Sequence, residues 1–270
     1  MDLHFWLVPA GFAVGAYGTL IGAGGGFVLV PFLLLADPHE APEVITSISL
    51  AVVFFNALSG TAAYARLGRV DYRSGLLFSA ATVPGAIVGA LTTAYIPRRA
   101  FDGILGVLMV AGAAFLIAGP PGGGAPRRPP RWGLERRVVE ADGTAHVYTY
   151  DALLGFSISI FVGYFSSVLG IGGGIIHVPV LATLLHFPVH VATATSHFTL
   201  AVMTLTGSLV HLLTGTLERG LDRLIPLSVG VIAGAQLGAW LSGRIHGPWI
   251  VRALAIALGL VGIRLLFDLL

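Results

Sequence analysis

The chain contains no cysteine and no lysine. Without cysteine there is no disulfide, no thiol nucleophile and no thiolate metal site. Without lysine there is no Schiff-base amine and no lysine-dependent phosphate loop. All fifteen cationic side chains are therefore arginine. Charge of either sign is scarce: 10% of the residues are charged, against about 25% in a soluble domain. With 56% hydrophobic residues and a mean hydropathy of +0.89, there is too little polar surface to face water. The composition reads as an all-α polytopic membrane protein. The thirteen acidic residues all fall in loops or near segment ends. A proton pump or cation carrier normally relies on a carboxylate inside the membrane, so this distribution points to an anionic or neutral substrate. Any coupled proton would travel on a histidine or on the substrate. No basic arm or aromatic–basic stripe marks a nucleic-acid surface. The first apolar run lacks a small-residue cleavage site and reads as a retained segment, not a signal peptide.

What is abundant is glycine, and it is concentrated. Gly22-Ala23-Gly24-Gly25-Gly26 and Gly170-Ile171-Gly172-Gly173-Gly174 each interrupt an apolar run. Glycine is unfavourable in a helix interior by about 1 kcal/mol relative to alanine, so four in five positions break the helix. They also strip the backbone of side chains, which lets another group approach. Broken backbone at membrane depth is tolerated only inside the protein or along a watery cavity. A pair of glycine-broken segments at matching places in two halves is the strongest sequence pointer to a transporter binding site.

The remaining apolar runs are long enough to span, since about 20 residues cross a bilayer core. They cover Val44–Leu67, Leu76–Ile96, Phe101–Ala118, Val191–Leu213, Leu224–Leu241 and Ile250–Leu269. Short apolar segments, Phe27–Ala36 and Ile175–Leu185, follow the glycine runs. Gly119–Tyr150 differs in kind, being rich in Pro, Gly and Arg, including Arg127, Arg128, Arg131, Arg136 and Arg137. Its Val138–Tyr150 part alternates around Asp142-Gly143 and fits either a small hairpin or an unstructured loop.

The two halves share blocks in the same order. The glycine runs and Pro31/Pro179 match at a spacing of 148 residues, Thr46-Ser47 matches Thr195-Ser196 at 149, and Leu58-Ser59-Gly60 resembles Leu205-Thr206-Gly207 at 147. Gly85-Ala86-x-x-Gly89-Ala90 matches Gly234-Ala235-x-x-Gly238-Ala239 at 149. This reads as an internal duplication. The organisation is a first membrane repeat over 1–118, a linker over 119–150 and a second repeat over 151–270. Each repeat has a glycine-broken segment, re-entrant or crossing, plus three helices, related by a pseudo-two-fold axis. The small-xxx-small blocks read as helix-packing surfaces, with Gln236 a polar exception where the first block has Ile87. Arginine counts place the linker and the loop with Arg66, Arg69 and Arg73 in the cytoplasm. The acidic 37–43 turn fits the outside, and Arg98 and Arg99 argue against this orientation. The sparse charge of Gly215–Arg223 favours inverted over parallel repeats.

A Gly-x-Gly-Gly-Gly run, a short apolar helix with proline, and Thr-Ser opening a long helix, all present twice, resemble the TauE/SafE family. The resemblance covers nearly the whole chain except 119–150. It implies a plasma-membrane transporter, bacterial or archaeal, for sulfite, sulfoacetate or other sulfur-containing or organic anions.

An oxyanion needs hydrogen-bond donors and positive potential without a full buried charge. Helix N-termini supply both, and the short helices beginning near Phe27 and Ile175 would aim theirs at the breaks. The candidate substrate-binding residues are Gly22, Gly24, Gly25, Gly26, Gly170, Gly172, Gly173 and Gly174 of the breaks, with hydroxyls from Thr46, Ser47, Thr195 and Ser196. The bland reading of those hydroxyls is capping or back-bonding within a helix. His197 and His177 are ionisable within membrane segments, a functional hypothesis by default. Asn56, His211 and Gln236 fit helix–helix hydrogen bonds as well as ligands. His186 and His190 are separated by Pro188 and look interfacial. No cofactor and no resident metal are expected. The partners are a small anion and the lipid bilayer, with proton or ion coupling and a homo-oligomer left open.

Three other readings compete. A small-anion channel could use the same broken helices. A divalent-metal permease would rest on His177, His197 and His211 alone. An intramembrane protease is disfavoured because Ser196 and His197 are adjacent and point about 100° apart on a helix. A dinucleotide-binding loop fails because Phe27 and Ile175 stand where its last glycine is needed.

Overall fold

A computed structural model of the chain describes residues 3–37, 39–118, 132–245 and 247–267. Ten helices and one small sheet follow in order: α1 (Leu3–Ile21), α2 (Gly26–Ala36), α3 (Pro42–Arg66), α4 (Tyr72–Thr93), α5 (Arg98–Ala118), β1 (Gly133–Val139), β2 (Ala145–Asp151), α6 (Ala152–Leu169), α7 (Gly174–Pro179), α8 (Val189–Leu213), α9 (Leu221–Ser242) and α10 (Gly247–Phe267). A π-helical turn, Val180–Leu184, extends α7, and a 3₁₀ turn, Leu217–Gly220, precedes α9. Among the described residues, six helices are long and apolar enough to cross a membrane: α3, α4, α5, α6, α8 and α9. Large apolar side chains such as Leu76, Ile117, Phe161, Ile225 and Leu260 stand exposed on the outer helices. A water-soluble monomer does not carry apolar surface on this scale, but lipid accommodates it.

Both helix breaks are built by glycine conformation. Gly22, Gly24 and Gly25 have φ of 78°, 76° and 82°, and Gly170, Gly172 and Gly173 have 68°, 80° and 77°. Side chains rarely adopt this left-handed region, so the chain turns here and nowhere else in the run. The turn is sharp. A methyl group on Gly25 would lie 2.7 Å from Val14 Cγ1, and the rings of Tyr17 and Phe27 sit 6.2 Å apart. α2 therefore folds back along α1. The second break does the same: Ser159 on α6 bonds His177 on α7, and Gly155 lies against Leu185.

Helix direction follows from which residues meet. Gly230, Gly234 and Gly238 of α9 lie against the carbonyls of Val8, Phe12 and Ala16, so α1 and α9 run parallel. Gly85 and Gly89 of α4 lie against the carbonyls of Ile160 and Tyr164, so α4 and α6 are parallel too. The small-residue blocks thus pack helix on helix. α3 and α8 cross antiparallel, with Gly60 beside His197 and Gly207 beside Leu50. α5 and α10 are antiparallel as well, with Gly106 and Gly262 facing each other. One face carries the 67–71 loop, the β1–β2 hairpin and the 243–245 turn. The other carries the 37–41, 94–97 and 214–220 turns.

The hairpin pairs Gly133 with Asp151 and Val139 with Ala145. Gly143 (φ 89°) and a bond from the Thr144 amide to Asp142 Oδ1 (2.8 Å) close its loop. The hairpin reading of the linker thus holds, with the strands extending further than the alternation indicated. Arg127, Arg128 and Arg131 lie outside the described residues.

Candidate functional site

The two glycine runs meet at the centre of the bundle, back to back. A methyl group on Gly26 would lie 2.7 Å from the Gly170 carbonyl oxygen and 2.7 Å from the Ile171 carbonyl carbon. One on Gly174 would collide with the Gly22 carbonyl and Ala23. Val53 of α3 and Leu200 of α8, both buried, close over Gly24 and Gly172. All eight candidate glycines are buried, and the contact is backbone against backbone.

A broken helix exposes carbonyls that must find donors in a dry interior. Side chains of the long helices supply them. Asn56 Nδ2 donates to Gly24 O at 2.9 Å, Ser49 Oγ to Gly170 O at 2.6 Å and Ser196 Oγ to Gly22 O at 3.3 Å. Thr93 Oγ1, shared with Gly89 O at 3.0 Å, lies 3.2 Å from Val168 O, and Thr46 Oγ1 approaches the same oxygen at 3.4 Å. Thr46 and Thr193 also pack on Gly170 and Gly22.

The hydroxyls of the two Thr-Ser pairs do not play matching parts. Ser47 back-bonds to Val44 O (2.7 Å), one helical turn earlier. Thr195 Oγ1 accepts from the Asp71 amide (3.1 Å) at the turn between α3 and α4. The hydroxyls that reach the glycine runs are Ser49 and Ser196, and the threonines are Thr46 and Thr193. These pairs are 147 residues apart, the spacing that the Leu58-Ser59-Gly60 block already marked and that the equal lengths of α3 and α8 require. The Thr46-Ser47 and Thr195-Ser196 match at 149 residues therefore does not pair residues with the same contacts, whereas a spacing of 147 does.

His197 lies near the hairpin-bearing face in a closed network. Its Nε2 is 3.2 Å from Thr19 Oγ1, which donates to Asn56 Oδ1 at 3.1 Å. Tyr64 OH donates to Thr19 O at 2.6 Å and stacks edge-on against the His197 ring. His177 sits apart, bonded to Ser159 Oγ (3.0 Å) and packed against Phe78. Gln236 is also apart, donating to Ser59 O (2.9 Å) and Ser59 Oγ (2.8 Å) between α3 and α9. Among the described residues no three of His, Asp and Glu come together as metal ligands, and His177, His197 and His211 occupy three separate places.

Above that network the β1–β2 hairpin clamps the helix ends. Asp71, buried at the N-cap of α4, accepts from Arg136 Nη2 (2.6 Å), Arg136 Nε (3.0 Å to Oδ2) and Tyr148 OH (2.8 Å). Burial alone would raise the Asp71 carboxyl; the hydrogen bonds from Arg136, Ser74 and Tyr148 outweigh it and hold it below its ordinary value. Burial, then the neighbouring Asp71 charge, pushes the Tyr148 phenol up. Arg69 pairs with Glu140 at 2.6 Å, and Tyr148 and Tyr150 stack on Phe187. Sequence reading did not find this clamp, because Asp71 and Arg136 are loop and linker residues whose pairing only the fold creates.

The opposite face is open. A cavity of about 380 Å³ is lined by Glu43, Ala90, Tyr95, His211, Thr214 and Arg219, among others. Arg219 at its rim meets Glu43 Oε1 at 3.3 Å. On the same face Arg98 is neutralised by Asp102 (3.0 Å) and held by the carbonyls of Glu40 and Leu34. Arg223 bridges Asp37 and Glu40. Arg98, which opposed the orientation, is thus paired with an acid.

A bundle of membrane-length helices with backbone breaks facing inward is the architecture of a polytopic membrane transporter. The model of the Sulfite exporter TauE/SafE family matches residues 7–265, and the chain belongs to that family. It is 32% identical to "Probable membrane transporter protein YunE" of Bacillus subtilis over 97% of both chains. It is 25% identical to "Probable membrane transporter protein MJ0441" of Methanocaldococcus jannaschii, over 96% of this chain and 94% of the relative. It is 26% identical to "Probable membrane transporter protein ORF9" of a Sinorhizobium species, over 99% and 95%. No solved structure matches the chain. The protein is an integral plasma-membrane transporter and not an enzyme.

Proposed function

We propose that this protein is a secondary transporter of small sulfur-containing or organic anions, working by alternating access at a midplane site. The observation that carries the reading is the crossing of the two glycine runs. There two helix breaks, each opening a short helix, face each other with their carbonyls held by side chains of the long helices. Residues 1–118 and 151–270 are inverted copies joined by the 119–150 linker. The matching φ angles of the two runs support this, as do the exchanged pairings, α1 on α9 and α6 on α4. In each copy the broken pair is a re-entrant hairpin with no net crossing, so three helices follow and the second copy is upside down.

The candidate site residues are those of the crossing, the glycines with Thr46, Asn56, Ser196 and His197, extended to Thr19, Ser49 and Thr193; Thr195, bonded to the Asp71 amide, is set aside. In this state the hairpin face is shut by the His197–Thr19–Asn56–Tyr64 network and the opposite face holds the cavity. This asymmetry favours alternation over a continuous pore. The arginine-rich hairpin face lies in the cytoplasm. The family's description makes sulfite the first substrate to test. Purified protein in liposomes should show saturable flux of sulfite or sulfoacetate, accelerated by the same anion on the far side. Flux that rises linearly with concentration would instead mark a channel. Transport of divalent metals with no anion flux would sink the reading.

A further inference from the structure

The cavity on the open face holds an unusual group. His211 is 2% exposed, lines the cavity, and its Nε2 has no hydrogen-bond partner. Leaving a buried polar group unmade costs about 1–3 kcal/mol, so an unpartnered imidazole in the wall of a cavity is a candidate to meet a ligand there. The matching position 147 residues earlier is Tyr64, whose hydroxyl is satisfied by Thr19 O at 2.6 Å and helps shut the hairpin face. Where one half of the chain has a satisfied tyrosine, the other has a buried histidine with an unpartnered ring nitrogen.

Behind His211 the unpartnered atoms continue inward. The hydroxyls of Ser208, Ser167 and Ser166 are buried without partners. Ser208 lies one turn from His211 on α8. Ser167 is adjacent to Gly207, where a methyl group would lie 2.8 Å from its Oγ, and Ser166 is adjacent to Gly173, at 2.9 Å by the same measure. Three buried, unpartnered hydroxyls thus lie between the turn that carries His211 and the second glycine run.

We infer that this cavity is an oxyanion-binding vestibule, in which the His211 imidazole holds a small sulfonate, sulfite or carboxylate group and hands it to the serines above the glycine crossing. The inference rests on the transporter reading and adds to it a second, outer site with its ligand chemistry. The volume suits a small molecule, since ligand sites run upward from about 300 Å³. Arg219 at the rim is shared between Glu43 (3.3 Å) and Glu40 (3.7 Å), so the rim itself adds no net positive charge. Glu43, engaged with that guanidinium, repels an anion from the wall where it stands, which leaves the His211 side as the anion's place.

The absence of native cysteine makes the test clean. Ala94 lines the cavity and is exposed, so Ala94→Cys should react with a small thiosulfonate reagent. Sulfoacetate is the probe, because sulfite itself attacks such reagents. Sulfoacetate should slow the labelling several-fold while chloride does not, and the double variant Ala94→Cys/His211→Gln should label freely with the protection gone. Persistent labelling in the double variant shows that the cavity has survived. Unslowed labelling of Ala94→Cys, or equal protection with His211→Gln, would overturn the vestibule. In liposomes His211→Gln should raise the KM for sulfoacetate about tenfold, the loss of one charge-assisted hydrogen bond. Wild-type flux with an unchanged KM in His211→Gln would remove the vestibule and leave the transporter standing. No anion flux in the wild type, with protection intact, would remove the transporter and leave the binding site.

Discussion

At the scale of single residues, the glycines of the crossing do two different jobs. Gly22, Gly24 and Gly25 are needed for their positive φ, whereas Gly26 and Gly174 are helical and needed for the missing side chain. The distinction is testable. Gly26→Ala places a carbon against two backbone carbonyl groups that cannot rotate away, so it should destabilise by about 3 kcal/mol or more and yield little monodisperse protein. Gly143→Ala meets nothing within 4 Å and carries only the strain of its φ of 89°, about 1–2 kcal/mol confined to the hairpin loop. Thermal melting of both variants in detergent separates them; equal losses would mean that the two runs cross without close backbone contact. The glycine runs themselves were legible in the sequence, because four glycines in five positions cannot continue an apolar helix. Their polar partners were less so. A hydroxyl on a long helix reads the same whether it back-bonds, as Ser47 does, or reaches 121 residues along the chain, as Ser49 does.

At the scale of elements, the β1–β2 hairpin is the part whose stability depends on ionisation. Its anchor is Asp71, held by Arg136 and Tyr148. Because the folded carboxyl titrates below its unfolded value of about 3.9, its contribution is present at neutral pH and is lost as pH falls through the lower folded value. Asp71→Asn should therefore cost about 2 kcal/mol near pH 7, the range of a hydrogen bond to a charged group. The gap in melting temperature between wild type and variant should narrow as the buffer is taken below about pH 4. A gap that stays constant with pH would show that the carboxylate's charge contributes nothing. The helix boundaries themselves were largely readable: the spans expected from apolar runs are α3, α4, α5, α8, α9 and α10 to within a few residues. Hydropathy identifies membrane segments because no other environment accepts them. The return of α2 along α1 was not readable, since a glycine break fixes where a helix stops and says nothing about the direction of the next.

At the scale of the whole molecule, the two faces differ in charge and closure. The hairpin face carries Arg66, Arg69, Arg73, Arg136, Arg137 and Arg244, and the opposite face Arg98, Arg99, Arg219 and Arg223; carboxylates engage Arg69 and Arg136 on the first and Arg98, Arg219 and Arg223 on the second, so the faces differ in the number of arginines. The proposed orientation follows from this difference. In a chain without cysteine, Gly143→Cys should resist a membrane-impermeant maleimide in intact cells and react after permeabilisation, whereas Thr216→Cys should react in both. The reverse pattern would turn the protein over in the membrane and make the cavity a cytoplasmic one.

The sequence by itself determined that the chain lives in a membrane, where its helices lie, where two of them break and which family it belongs to. Each of these follows from local composition or from residues in fixed order, and needs no knowledge of what packs where. Only the tertiary structure decided that the breaks turn back and cross, that Ser49 and Thr193 serve them, that Asp71 anchors the linker and that His211 lines a cavity. Those facts depend on contacts between residues far apart in the chain, and the register of one helix against another is set by packing that no single segment contains.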